Sequence, residues 1–132
     1  MRGLPAAQPR PLPLSSDYDV ITIRQEVRAL ARQLGLALSK QAKIATAIST
    51  IGRALIAARC STTIRIGTNN RARRPALEII CSLAVRPTPV DLIQLEQMLH
   101  IGEARMLVDE AILSLDGDGA LLSLRMWLDH AR

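Results

Sequence analysis

The chain of 132 residues has no phenylalanine, one tyrosine, one tryptophan, two cysteines and two histidines. Each shortage closes off a class of function. With Tyr18 and Trp127 as the only aromatic residues, recognition of single-stranded nucleic acid by base stacking has almost nothing to work with. Cys60 and Cys81 stand apart, with no CxxC and no nearby histidine pair. They read as buried thiols of a reducing compartment, not as a metal site or a disulfide. His100 and His130 fall in a helical run and at the chain end, so a Ser-His-Asp or Cys-His site would need a tertiary coincidence. The sequence has no P-loop and no HExxH. It also lacks an apolar run long enough to span a bilayer, and the start "MRGLPAAQPRPLPLSS" lacks the continuous apolar stretch of a secretory signal. The expected location is the cytoplasm.

What the chain has is arginine. Seventeen basic residues, of which only Lys40 and Lys43 are lysines, oppose twelve acidic ones for a net charge of +5. The densest cluster, "NNRARRP" at 69–75, has two readings: a solvated hairpin loop, or a contact for an acidic protein or a phosphate backbone. The other arginines are spread through the elements, which argues against nucleic acid as the main partner.

Nearly half the residues are apolar, enough for one core in one domain. Residues 1–9 form a Pro- and Ala-rich tail, and the domain covers 10–132. "RPLPL" suits a short edge strand, because proline cannot donate to a central ladder. After "SSDYD", whose Ser and Asp can cap a helix, Val20, Ile23, Val27, Leu30 and Leu34 recur at helical spacing until Gly35. Ser39 is the expected cap of a second helix with a stripe of Ile44, Ile48, Ile51 and Leu55. "TTIRIG" and "ALEIICSL" alternate as a strand pair, the second placing Leu77, Ile79, Cys81 and Leu83 on one face. A helical run from Asp91 to Val108, interrupted at Gly102, comes next. Two apolar strands joined by Asp-Gly-Asp-Gly at 116–119 close the chain, and in that turn Asp116 and Asp118 are turn residues. The order β-α-α-β-β-α-β-β predicts an α+β two-layer sandwich: an antiparallel or mixed sheet of about five strands with helices on one face.

In this order the segments "DVITIRQEVRALARQLGLALSKQAKIATAISTIGRALI", "LEIICS" and "ARMLVDE" resemble the small bacterial switch kinases and anti-sigma factors of the GHKL (histidine-kinase-like) ATPase superfamily. The resemblance covers about residues 10–130. Its motifs are soft apolar patterns whose specificity lies in their sequence order. It implies the sandwich just described, with an ATP site between the second helix and a glycine-rich lid.

Against that pattern the chain is depleted at each functional position. Where the family carries a glutamate general base and, four residues on, a magnesium-binding asparagine, this chain has Thr50 and Ala54. Threonine does not accept a proton near neutral pH, and alanine offers no oxygen to a hard cation. Leu83 stands at the adenine-reading aspartate, Val85 and Pro87 where glycines are expected, and Gly102 is what remains of the lid. The resemblance therefore implies a degenerate relative that has lost ATP and takes no cofactor or metal.

On the first helix Arg24, Arg28 and Arg32 fall at i, i+4 and i+8 as a basic ridge. The ridge is either a solvated face or a docking strip for an acidic partner. Arg53 matches an arginine that the family keeps between its glutamate and asparagine, either for the fold or for a partner. The relatives work by exclusive complexes, so the resemblance implies a sigma factor, a STAS-domain antagonist, a phosphatase regulatory domain or an intact paralogue as partner. The "RPLPL" edge offers a route to a homodimer or to a heterodimer with an intact paralogue. Two functions compete at this stage: a noncatalytic partner-switching module, and a serine/threonine switch kinase with an unconventional nucleotide site.

Overall fold

The structure, a computed structural model, describes residues 10–70, 74–84, 92–117 and 119–128. Outside the described residues lie the 1–9 tail, the centre of the 69–75 cluster, Val85, Pro87, Asp91, Asp118 and His130.

The elements run β1 (Leu12–Leu14), α1 (Asp17–Gln33), α2 (Leu38–Ala57), β2 (Ser61–Asn69), β3 (Ala76–Ala84), α3 (Leu92–Met98), α4 (Ile101–Ala104), β4 (Glu110–Asp116) and β5 (Gly119–Trp127). The five strands form one antiparallel sheet in the order β1-β2-β3-β5-β4, and the helices cover one of its faces. The result is the α+β sandwich expected from the sequence.

Alternation sets the faces. Leu77, Ile79, Cys81 and Leu83 of β3 point into the core with Ala120, Leu122, Leu124 and Met126 of β5. Val20, Ile23 and Val27 of α1 and Ile44, Ile48, Ile51 and Leu55 of α2 close the core from the helix side. Complete burial of a side chain of this kind contributes roughly 1.5–3 kcal/mol.

The two long helices meet through a seam of small residues. Ala45, Ser49 and Gly52 are buried on α2, and a Cβ added at Gly52 would lie 3.3 Å from Val20 Cγ2. The Ser49 hydroxyl donates back to the Ala45 carbonyl at 2.7 Å, so no polar atom of the seam is stranded.

Three local expectations need correction. Ser16 caps α1 as expected, its side-chain oxygen accepting the Asp19 N–H. Ser39, however, caps nothing. Helix α2 starts earlier, with Ala37 at its N-cap and no side-chain cap bond. Gly35 at φ +79 turns the chain and Leu36 is buried beneath it. The Gln41 amide then donates to the Leu36 carbonyl at 2.8 Å, stitching the turn from inside the helix. The third helical run breaks at His100 (φ 58), not at Gly102, which sits within α4. Leu99 and Ile101 are both fully buried. On a continuous helix two such residues point about 200° apart, so the left-handed turn at His100 is what aims both inward. Finally, β2 extends through Asn69, two residues beyond "TTIRIG" and into the stretch read as loop.

Candidate functional site

Charge is unevenly divided along the chain. Residues 10–60, which form β1 and the helical hairpin, carry eight basic against three acidic side chains, whereas residues 61–132 carry eight against nine. The surplus of the folded domain therefore lies in this first part of the chain: α2 contains Lys40, Lys43 and Arg53 and no acidic residue, Arg10 and Arg59 flank the helices, and α1 balances its three arginines against Asp17, Asp19 and Glu26.

Within that hairpin α1 holds most of the candidate surface. Arg24 and Arg32 are exposed and Arg28 is half-buried. None of the three forms an ion pair or side-chain hydrogen bond among the described residues, and the Arg28 Nε is buried without a partner. The line begins at Val20, which touches Gly52 of α2. Each i+4 step then rotates it by about 40° away from that seam toward solvent. Two large apolar residues continue the same surface toward the helix N-terminus: Tyr18 is 74% exposed and Ile21 is 54% exposed. Sequence reading overlooked both. The signal was an i, i+3 apolar pair displaced from the core stripe of Val20, Ile23 and Val27.

The N-terminal turn beneath them is rigidly built. The Asp19 carboxylate accepts from the Ser15 N–H at 2.8 Å and from the Ser15 hydroxyl at 3.0 Å. These bonds, the backbone one foremost, hold the Asp19 carboxyl below the ordinary carboxylate range. Arg53 stands exposed on α2 and, like the α1 arginines, has no ion-pair partner among the described residues.

Thr50 and Ala54, four residues apart, share one flank of α2. Both are half-buried, and Ala54 packs against the core. Leu83 is buried in the core from β3. Gly102 lies in α4, which packs on α2. The positions that the resemblance assigns to base, metal ligand, adenine reader and lid are thus two half-buried helix residues, a core side chain and a short helix. Val85 and Pro87 lie outside the described residues.

A cavity of about 470 Å³ opens elsewhere, at the end of the sheet, between Pro13, Ser61, Thr63, Ser82 and Asp116, with Leu83 on its wall. It takes no lining from α2. Among the described residues no cluster of three or more His, Cys, Asp or Glu is placed to hold a metal ion, and no helix is long and apolar enough to cross a membrane. The thiols differ. Burial pushes Cys81 up to about 12 and raises half-buried Cys60 to a smaller extent.

What this arrangement can do chemically is bind. Unpaired guanidiniums beside exposed Tyr and Ile side chains combine charge-assisted hydrogen bonding with apolar anchoring, a mixture enriched at protein interfaces. No protein-family model matches the chain, and no curated protein matches it either.

Proposed function

We propose that this chain is a noncatalytic protein-interaction module, a pseudokinase-like partner-switching regulator of the anti-sigma-factor or stress-signalling kind. It grips an acidic protein partner with the outer flank of α1. Tyr18 and Ile21 anchor an apolar patch of the partner, and Arg24, Arg28 and Arg32 meet its carboxylates, with Arg53 on α2 adding to the positive field. The observation that carries this reading is the run of Arg24, Arg28 and Arg32 along one flank of α1, unpaired within the described residues, beside the exposed Tyr18 and Ile21. The loss of nucleotide chemistry follows from residue types: Thr50 supplies no base, Ala54 no metal-ligating oxygen, and Leu83 no carboxylate for an amino group. A sigma factor, a STAS-domain antagonist or a phosphatase regulatory domain, met in the cytoplasm, fits the resemblance.

The test is capture of the partner from the native host by the intact chain, compared with the Arg24→Glu, Arg28→Glu, Arg32→Glu triple variant. An acidic protein should be retained by the first and lost by the second, with affinity falling as salt rises. Equal retention by both removes α1 from the interface. Calorimetry with ATP and magnesium should give no affinity tighter than ~100 μM, equivalent to about 5.5 kcal/mol. A tighter magnesium-dependent value would place the switch kinase first.

A further inference from the structure

Among the described residues the sheet has two unpaired edges, and they are treated differently. At one edge β1 is only three residues long and carries Pro13, with Pro11 just before it. Short strands and prolines are common ways of blunting an edge. At the other edge β4 runs seven residues in unbroken register with β5, from Glu110 opposite Arg125 to Asp116 opposite Gly119. It contains no proline, no lysine and no bulge. Its side chains Ile112 and Leu115 are 45% and 57% exposed. Of the eight large apolar side chains exposed among the described residues, five (Ile93, Met98, Met106, Ile112 and Leu115) belong to the α3–α4–β4 segment. On β4 itself Leu115 stands on the helix side and Ile112 on the outer face.

The hydrogen bonds say which backbone groups of β4 are open. The Arg105 Nε donates to the Ala111 carbonyl at 3.2 Å, so Ala111 turns its carbonyl away from β5. Independently, the Leu128 N–H bonds to the Pro75 carbonyl. Stepping along β5 from there makes its even residues face β3 and its odd residues face β4. Both observations leave Leu113 and Leu115, like Ala111, with outward N–H and C=O groups. Arg105, held by Glu96 at 3.0 Å, occupies the Ala111 end.

We propose that β4 of this chain pairs antiparallel with β4 of a second copy, about a two-fold axis at Ser114, joining the two sheets into one. This register sets Leu113 opposite Leu115 of the second copy, and the reverse, exchanging the outward backbone groups of both. On the helix side the exposed Leu115 side chains are covered by Leu113. On the outer face the two Ser114 hydroxyls meet. The same register sets Asp116 of one copy opposite Ile112 and beside Ala111 and the Arg105 guanidinium of the other, reciprocally. A shift centring the axis on Leu113 would instead require Leu115 to bond the Ala111 carbonyl of the other copy, which already accepts from Arg105 Nε at 3.2 Å. The expected homodimer edge thereby moves from "RPLPL" to the opposite side of the sheet, and the basic flank of α1 stays open for a partner.

Sedimentation velocity of the full chain tests this, with self-association expected between ~10 and ~300 μM for so small an interface. Leu115→Lys should weaken it at least roughly tenfold while far-UV circular dichroism stays unchanged. Because that variant could unfold, cysteine pairing supplies a second measurement. Ser114→Cys places two thiols across the axis, opposite each other in a non-hydrogen-bonded pair, and should oxidise rapidly to a disulfide dimer. Ile112→Cys, four residues out of register with itself, should not. A chain that stays monomeric through this range, or Ser114→Cys linking no faster than Ile112→Cys, overturns the proposal.

Discussion

Arginine has two different fates in this molecule. On the outer face of the sheet Arg125 of β5 stands between Glu78 of β3 and Glu110 of β4, at 2.7 Å and 2.9 Å, and Glu78 also accepts from the Asn69 amide at 3.1 Å. Both carboxylate partners raise the Arg125 guanidinium further above its ordinary value. Arg74, nearby, lies 5.4 Å from the Trp127 ring centroid, within cation–π range. On α1 the same residue type recurs three times without an ion pair among the described residues. The sheet uses its charges to tie adjacent strands, whereas the outer flank of α1 leaves its arginines for something outside. The contrast separates charge that belongs to the fold from charge that the fold merely carries.

Removing the paired arginine should produce the largest change. Arg125→Met strands Glu78, whose side chain is only 11% exposed, between strands that no longer neutralise it. We expect a loss of about 2–3 kcal/mol in urea unfolding, within the range for breaking a partly buried charge network. A loss below about 0.5 kcal/mol would dissolve the contrast. Next comes Arg28, whose buried, unpartnered Nε is a cost to the isolated domain. Arg28→Met keeps the aliphatic stem and should stabilise by up to about 1 kcal/mol, while weakening the partner complex. Arg24→Ala and Arg32→Ala should each change stability by less than about 0.5 kcal/mol, as charges without a structural role do. Smallest is the acid titration of Asp19. Its folded carboxyl titrates below its unfolded value, so the stability it contributes is present above that value and is lost as pH falls through the depressed one. Carbon-detected NMR should find its midpoint below the ordinary carboxylate value, and Ser15→Ala should raise it.

Much of the fold was readable because alternation and helical spacing report directly on burial. Leu77, Ile79, Cys81 and Leu83 point inward as their period-2 pattern requires, and Ser16 caps α1. The misreadings share a cause, which is that tertiary burial overrode local chemistry. Ser39 had the chemistry of a cap, but burial of Leu36 and the inward reach of Gln41 started α2 before it. Gly102 had the chemistry of a helix break, but Leu99 and Ile101 both needed the core, so the chain turned at His100. The ion network was invisible for a different reason. Glu78 and Arg125 lie forty-seven positions apart, and only the β3–β5 register makes them neighbours. Of the candidate surface, the ridge was readable from spacing, whereas its lack of partners, its apolar extension through Tyr18 and Ile21, and the open β4 edge required the packed structure.

The two thiols give the molecule an internal stopwatch. Cys81 is sealed on the inner face of the central strand, and burial pushes its thiol up to about 12. Cys60 sits half-buried just before β2, its thiol donating toward the Ala84 carbonyl at 3.6 Å. An alkylating reagent reaches Cys60 through a local excursion of one strand end, but reaches Cys81 only when the sandwich itself comes apart. The ratio of the two labelling rates in unmodified protein thus separates fraying from global opening. The same burial carries an alkaline limit. The folded state keeps the Cys81 proton where an unfolded chain would release it, so this contribution is complete below the ordinary thiol range and drains away as pH rises toward about 12. A dye release assay run across that interval would time the opening of the core without a single substitution.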